Sequence, residues 1–367
     1  MRSSPPVPHS GYHWDSRQHP FFEGWYYRLT LPDSQSIAFM YSLQDPKQPT
    51  LATGGAVQIL GPDEQYFCRA LPDVATFWAW KHNLGHGQRR HGAMEEGYEA
   101  TATVHKGQFW DPATHRIVRW HYAIEPIYTW GTPTPKSTAG WMSHLQIFEP
   151  GWQVLMAHGL ATGWFEWAPR DIARQAAADL GSPNPTNIGG CGAGLPRRFE
   201  FTQVPAYAEK NWGGAFPKKW FWIQCNAFEH EPDLSITCGG GIRQTLGFQE
   251  SVGMVGIHHQ GQFYEFVPWN GQITWQVSPW GHWRVWAEQP HYRVEIVGHT
   301  DLDGVRIQVP TAHGLQYQCR DTTRGILSIN LWQKRRQLLI LGAHSNQAGL
   351  EVGGDWKTEW TVGPRPA

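Results

Sequence analysis

Along most of the chain apolar and polar residues alternate in short runs, and Gly, Pro, Asn and Asp separate one run from the next. A period of two puts successive side chains on opposite faces of a strand, and turn residues between such runs mark antiparallel hairpins. Strands are expected at Phe21–Leu31, Ser36–Leu43, Ala56–Leu60, Tyr98–Val104, Ile117–Ile124, Gln153–His158 and Trp220–Ala227. Further strands are expected at Val252–His258, Gln262–Val267, Ile273–Val277, Trp283–Ala287, Tyr292–Val297, Gly325–Trp332 and Gln337–Ala343. His259-Gln260-Gly261 reads as a hairpin turn. Helical spacing occurs once, over Pro169–Leu180, where a proline stands at the start, Ile172, Ala176 and Leu180 are four apart, and Gly181 follows.

The helix leads into a Gly/Pro/Asn-rich stretch ending at Pro196, which contains the run Gly189-Gly190-Cys191-Gly192-Ala193-Gly194. If residues 168–197 are an insertion, the flanking strands Trp164–Trp167 and Arg198–Thr202 pair with each other. The expected organisation is all-β: two antiparallel units of barrel or sandwich size, residues 1–205 and 206–367, the first carrying one short inserted helix.

Composition narrows the class. Of 367 residues, 40% are hydrophobic and 17% charged, enough to fill globular cores. No apolar run approaches the roughly 20 residues that span a bilayer as a helix. Met1–Tyr12 lacks the apolar stretch of a secretory signal and is too short and proline-rich for an organelle transit peptide. A formal charge of -1, with basic pairs only as short as Lys218-Lys219 and Arg335-Arg336, gives no footprint for nucleic acid. The five cysteines contain no C-x-x-C and read as free thiols of a reducing compartment.

What changes this picture is tryptophan, 22 of them, set in strings such as Phe22-Glu23-Gly24-Trp25-Tyr26-Tyr27, Glu209-Lys210-Asn211-Trp212-Gly213 and Val267-Pro268-Trp269-Asn270-Gly271. Ordinary cores are mainly aliphatic. So many amphipathic rings beside carboxylates point to a pocket that holds a large apolar ligand and acts on a polar end of it. Alternation puts Phe21, Glu23, Trp25 and Tyr27 on one face of a strand, and Phe263, Glu265 and Val267 on one face of another. An acid among rings is desolvated and stays protonated, which suits a general acid; otherwise it accepts hydrogen bonds from a loop or caps a barrel end. Asp321 reads as a buried ion pair or a turn.

G-x-S-x-G, H-E-x-x-H and P-loop signatures are missing, and the glycine run at 189–194 lacks the strand-then-helix setting of a dinucleotide site. His9/His13, His82/His86 and His258/His259 approach metal-ligand spacing without the further ligands needed to close a site. Neither a metal nor an organic cofactor is expected.

The strings Pro8-His9-Ser10-Gly11-Tyr12-His13-Trp14-Asp15, Phe21-Phe22-Glu23-Gly24-Trp25-Tyr26, Glu209-Lys210-Asn211-Trp212-Gly213-Gly214, Phe216–Asn226, Gly239-Gly240-Gly241-Ile242-Arg243, Tyr264–Gly271 and Ala348–Gly354 occur in order from His9 to about Trp360. Together they resemble the tocopherol cyclase family. The resemblance implies closure of a prenylated benzoquinol, such as 2,3-dimethyl-6-phytyl-1,4-benzoquinol, to a chromanol in vitamin E biosynthesis, with no cofactor. It also implies two lipocalin-like β domains, as in the more distant carotenoid 1,2-hydratases and some fungal pericyclases. Without a transit peptide the chain looks like the cyanobacterial type, on the cytoplasmic side and either soluble or peripheral to thylakoid membrane. It departs from the plant pattern between Trp167 and Arg198, where a tight hairpin is the family expectation.

Relatives on this fold place polar catalytic residues around a D-H-x-W string, which falls here on Glu209-Lys210-Asn211-Trp212; Lys210 stands where that string has His, so its role does not transfer unchanged. The expected proton donor, or its orienting partner, is Glu209, with Glu23 and Glu265 as alternatives. Trp25, Trp212, Trp222 and Trp269 are the expected cation-stabilising or chain-binding rings, and Asn211, Asn270 or Lys210 the expected partners of the quinol oxygens. Two rival readings stay open: a terpenoid or carotenoid hydratase, and a non-catalytic prenyl-lipid carrier. Peripheral membrane contact through Lys218-Lys219-Trp220-Phe221-Trp222 and the oligomeric state are also open.

Overall fold

The computed structural model describes residues 6–17, 20–32, 35–47, 53–90, 95–111, 116–140, 150–169, 197–245, 248–311 and 313–356. The expected helix, except Pro169 at its start, and the glycine run at 189–194 lie outside them. The described residues form two antiparallel sheets and no α-helix.

The first sheet has eleven strands: β1 Phe22–Thr30, β2 Ser36–Gln44, β3 Gly54–Leu60, β4 Tyr66–Leu71, β5 Phe77–Ala79, β6 Gly85–Arg90, β7 Glu96–Thr101, β8 Val104–Asp111, β9 Arg116–Tyr128, β10 Gly151–Pro169 and β11 Arg197–Gly213. The second has ten: β12 Lys219–Cys225, β13 Ser235–Thr245, β14 Phe248–His259, β15 Gln262–Phe266, β16 Gln272–Val277, β17 His282–Glu288, β18 Tyr292–His299, β19 Val305–Thr311, β20 Gly314–Gln333 and β21 Leu338–Gly354.

Both sheets follow one plan. Neighbouring strands are mostly consecutive in sequence, and the first strand pairs with the last, β1 with β11 and β12 with β21. The open edges of each sheet are therefore consecutive strands, β4 and β5 in the first, β15 and β16 in the second. Each sheet curls around its own apolar core, one built on Phe39, Tyr41, Phe109, Trp120 and Phe165, the other on Ile223, Phe266, Trp283, Ile296 and Leu350.

The anticipated hairpin at 259–261 is present: His259 pairs with Gln262, and Gln260 and Gly261 both have positive φ, the backbone of a type I′ turn. Trp164 pairs with Glu200 and Trp167 with Arg197, as an insertion between these strands requires. The sheets change over between Gly213 and Lys219 rather than at Pro205, because β11 runs through that proline and stays paired with β1 to its end. Short or glycine-rich strands such as β5, β6 and β13 escape the alternation rule because they carry few apolar side chains at a period of two.

The two units meet face to face along β1, β2, β10 and β11 on one side and β12, β13, β20 and β21 on the other. Arg28 crosses this junction. It is 1% exposed, rises from β1, and donates to the Gln224 side chain at 2.8 Å and to the carbonyls of Thr323 and Gln347 at 2.9 and 2.6 Å, all in the second unit.

Candidate active site

The junction encloses a cavity of about 650 Å³, within the range of about 300–1,000 Å³ common for small-molecule sites. Its first-unit wall includes Trp25, Tyr26, Met40, Trp152, Glu209, Asn211 and Trp212; its second-unit wall includes Trp220, Trp222, Gly239, Gly241, Met254, Cys319 and Glu351. Glycine leaves room for these rings. A Cβ on Gly349 would lie 2.8 Å from the Trp222 ring and one on Gly353 2.0 Å from Trp220, so both indoles can lie flat against β21.

Glu209 is buried, and three donors converge on one of its oxygens. Oε2 accepts the Tyr207 hydroxyl at 2.6 Å, the Trp152 indole N–H at 2.8 Å and the Trp222 indole N–H at 3.0 Å. The donors come from β11, β10 and β12, so the carboxyl is fixed by both units. Burial raises the Glu209 carboxyl to about 7, against the opposing pull of these hydrogen bonds. The result is an acid protonated near neutrality whose conjugate base is already solvated by protein.

The other expected acids sit elsewhere. Glu23 does not line the cavity; it forms an ion pair with Lys210, both side chains fully buried, and it also accepts the His13 backbone N–H at 2.9 Å. Burial alone would raise the Glu23 carboxyl, but Lys210 and His13 outweigh it and hold it below the usual carboxylate range. It is ionised and cannot serve as a resting proton donor. Lys210 also donates to the Gly11 carbonyl at 2.6 Å and lies 5.3 Å from the Trp212 ring centre, so it anchors the N-terminal segment rather than a quinol oxygen. Through that anchor His13 stacks on Trp212 at 3.9 Å and joins the cavity wall.

Glu265 accepts the Trp130 indole at 2.8 Å away from the cavity, Trp269 packs over Gly140, and Asn270 closes its own turn through Val267 N–H and the Glu265 carbonyl. The structure thus brings Glu209, Trp25, Asn211, Trp212 and Trp222 to one cavity and leaves Glu23, Lys210, Glu265, Trp269 and Asn270 outside its lining. Trp220, Phe221 and Trp222 are all buried, so the Lys218–Trp222 string is not an exposed aromatic patch. No helix among the described residues is long and apolar enough to cross a membrane.

Tyr207, Trp152 and Tyr26 were not foreseen as site residues. Tyr207 was within reach of a period-two reading, being two residues from Glu209; Trp152 reaches the site only through the β10–β11 pairing. Asp321, expected in an ion pair or turn, is buried with no side-chain hydrogen bond to its oxygens among the described residues; Arg28 and the Thr322 N–H favour its charge, and Glu351 and Glu64 oppose it.

A tocopherol cyclase-like family model matches residues 19–184 and 194–354. The chain belongs to the tocopherol cyclase family. A probable chloroplastic tocopherol cyclase of Oryza sativa subsp. japonica is 37% identical over 96% of this chain and 80% of its own length. The chloroplastic tocopherol cyclase of Zea mays is likewise 37% identical, over 96% of this chain and 79% of its own. The family match is interrupted only between 184 and 194. Among solved structures, CghA superposes with a TM-score of 0.54 at 8% identity, covering 91% of this chain and 87% of that one, a likeness of fold.

Proposed function

We propose that this chain is a cyclase that closes a prenylated benzoquinol, such as 2,3-dimethyl-6-phytyl-1,4-benzoquinol, to a chromanol, with Glu209 as the proton donor. The observation that carries the reading is the convergence of Tyr207, Trp152 and Trp222 on Oε2, which leaves Oε1 to hold the proton in an aromatic cavity. The proton passes from Oε1 to the less substituted carbon of the alkene nearest the ring, and a tertiary cation forms on the other carbon. The phenol oxygen captures that cation, its proton departs, and the enzyme acid is restored. Atoms are conserved and no electrons are exchanged, so the reaction is an isomerisation.

An alkene is a very weak base, and the donor must therefore leave a stabilised anion behind. Each of the three hydrogen bonds to Oε2 strengthens as charge develops on the carboxylate, so the site favours the transition state over the ground state. The indole faces on the walls offer the cation about 0.5–2 kcal/mol each in a desolvated setting. Folding the prenyl chain against the ring contributes by proximity.

The test is incubation of purified protein with the reduced prenylquinol in detergent, followed by product identification. Chromanol is the expected product. A tertiary alcohol, formed when water captures the cation, identifies a hydratase, and unchanged bound quinol identifies a carrier.

A further inference from the structure

Two acids on the second-unit side of the junction take no part in this proton transfer. Glu351 lines the cavity from β21, and Asp321 on β20 is its cross-strand partner. Glu351 Oε1 accepts the Trp220 indole N–H at 2.5 Å, with Cys319 beside it. Asp321 is 1% exposed, its oxygens have no side-chain hydrogen bond among the described residues, and its charge is favoured by Arg28 and opposed by Glu64 and Glu351. Adjacent carboxyls in a dry junction cannot both ionise, since their repulsion is not screened by water. Burial raises both; charge on Glu351 raises Asp321 further, while Arg28 draws it down. A protonated carboxyl in a cavity wall is a hydrogen-bond donor for a neutral oxygen.

The number of donors separates Glu351 from Glu209. Three groups receive the charge that Glu209 acquires; one indole and the weak donor of the Cys319 thiol would receive that of Glu351, and Asp321 would oppose it. Trp222 links the two, donating its indole N–H to Glu209 while its backbone pairs with Glu351. The two carboxyls hang from opposing sheets and line the same cavity. A benzoquinol has two hydroxyls: one captures the cation, and the other passes through the reaction unchanged and needs a partner in the same cavity.

We infer that Glu351, positioned by Trp220, holds the substrate hydroxyl that does not close the ring and so selects quinols over monophenols. This rests on the cyclase reading above. The test compares kcat/KM for the prenylquinol with that for the matching prenylphenol, which keeps the ring-closing hydroxyl and lacks the para one, in wild type, Glu351→Leu and Glu351→Gln. The intrinsic reactivity of the two substrates cancels in the ratio between variants. The quinol preference is expected to fall about tenfold in Glu351→Leu, mainly through KM, the effect of one unmade buried hydrogen bond. It should be largely retained in Glu351→Gln, whose amide still donates. A folded Glu351→Leu protein with the wild-type preference overturns the assignment. So does a folded Glu351→Gln protein that loses ring closure with both substrates, because that residue would then be a proton donor; this second readout holds if the leucine variant does not fold. Absence of ring closure by the wild type removes the cyclase reading itself.

Discussion

The Tyr207 hydroxyl donates to Glu209 Oε2 at 2.6 Å across two positions of the same strand. Both residues face the junction between the sheets, and the hydroxyl fixes which oxygen of Glu209 is the acceptor. With Oε2 accepting three donors, the proposed mechanism puts the acidic proton on Oε1. This relationship turns a buried carboxyl, which would otherwise only resist ionisation, into one that can give its proton away.

Glu209→Gln is expected to lower turnover by ~10²-fold or more while the protein stays folded, the loss typical of a general acid. Glu23→Gln should act differently: it leaves Lys210 buried without a counter-ion, so the melting temperature drops, whereas Glu265→Gln stays near wild type in turnover. Circular dichroism melts beside single-turnover rates separate these effects. Equal turnover in wild type and Glu209→Gln would remove Glu209 as the donor.

The rate should depend on pH through Glu209. The protonated acid is the active form, so kcat/KM is expected to fall as pH rises through about 7. Tyr207 lowers the Glu209 value, hence Tyr207→Phe should shift the fall to higher pH while reducing the maximal rate. Stability carries the same signature. An unfolded Glu209 loses its proton near 4.5 and the native one near 7, so the native state binds more protons between these values and this group's contribution declines across that window. Glu209→Gln should remove its share of the slope in pH-dependent urea melts.

In deuterated water, one deuterium should enter the saturated ring of the chromanol at the carbon next to the new C–O bond, with a single stereochemistry. A fixed side chain delivers from one face, whereas free acid in solution does not. Mass spectrometry and NMR of the product after many turnovers read this directly. Deuterium at the benzylic carbon instead would indicate a quinone-methide or pericyclic route.

Arg28→Met should destabilise the junction between the sheets. The change removes a buried donor group and strands the acceptors on Gln224, Thr323 and Gln347, at about 1–3 kcal/mol for each buried acceptor left unpaired. The expected observation is a large fall in the urea midpoint of unfolding. A variant as stable as wild type would show that the clamp contributes little.

The family resemblance pointed to Glu209, while local patterning in the sequence determined a good deal of the rest: the all-β class, the hairpin at Gln260-Gly261, and the pairing of Trp164–Trp167 with the strand after the insertion. These depend on neighbours in the chain, on turn dihedrals and on the period of two. The same period could not choose between Glu209 and Glu23. Alternation says which side chains share a face, but β1 and β11 are buried on both faces, one toward the first unit's interior and one toward the junction. The pairing of β1 with β11 decided that Glu23 meets Lys210, and only the packing of the two sheets brought the Trp222 indole to Glu209. The pairing of Asp321 with Glu351 likewise exists only once β20 lies beside β21, thirty residues apart in the chain. Desolvation and charge pairing are properties of that arrangement, and no stretch of sequence contains them.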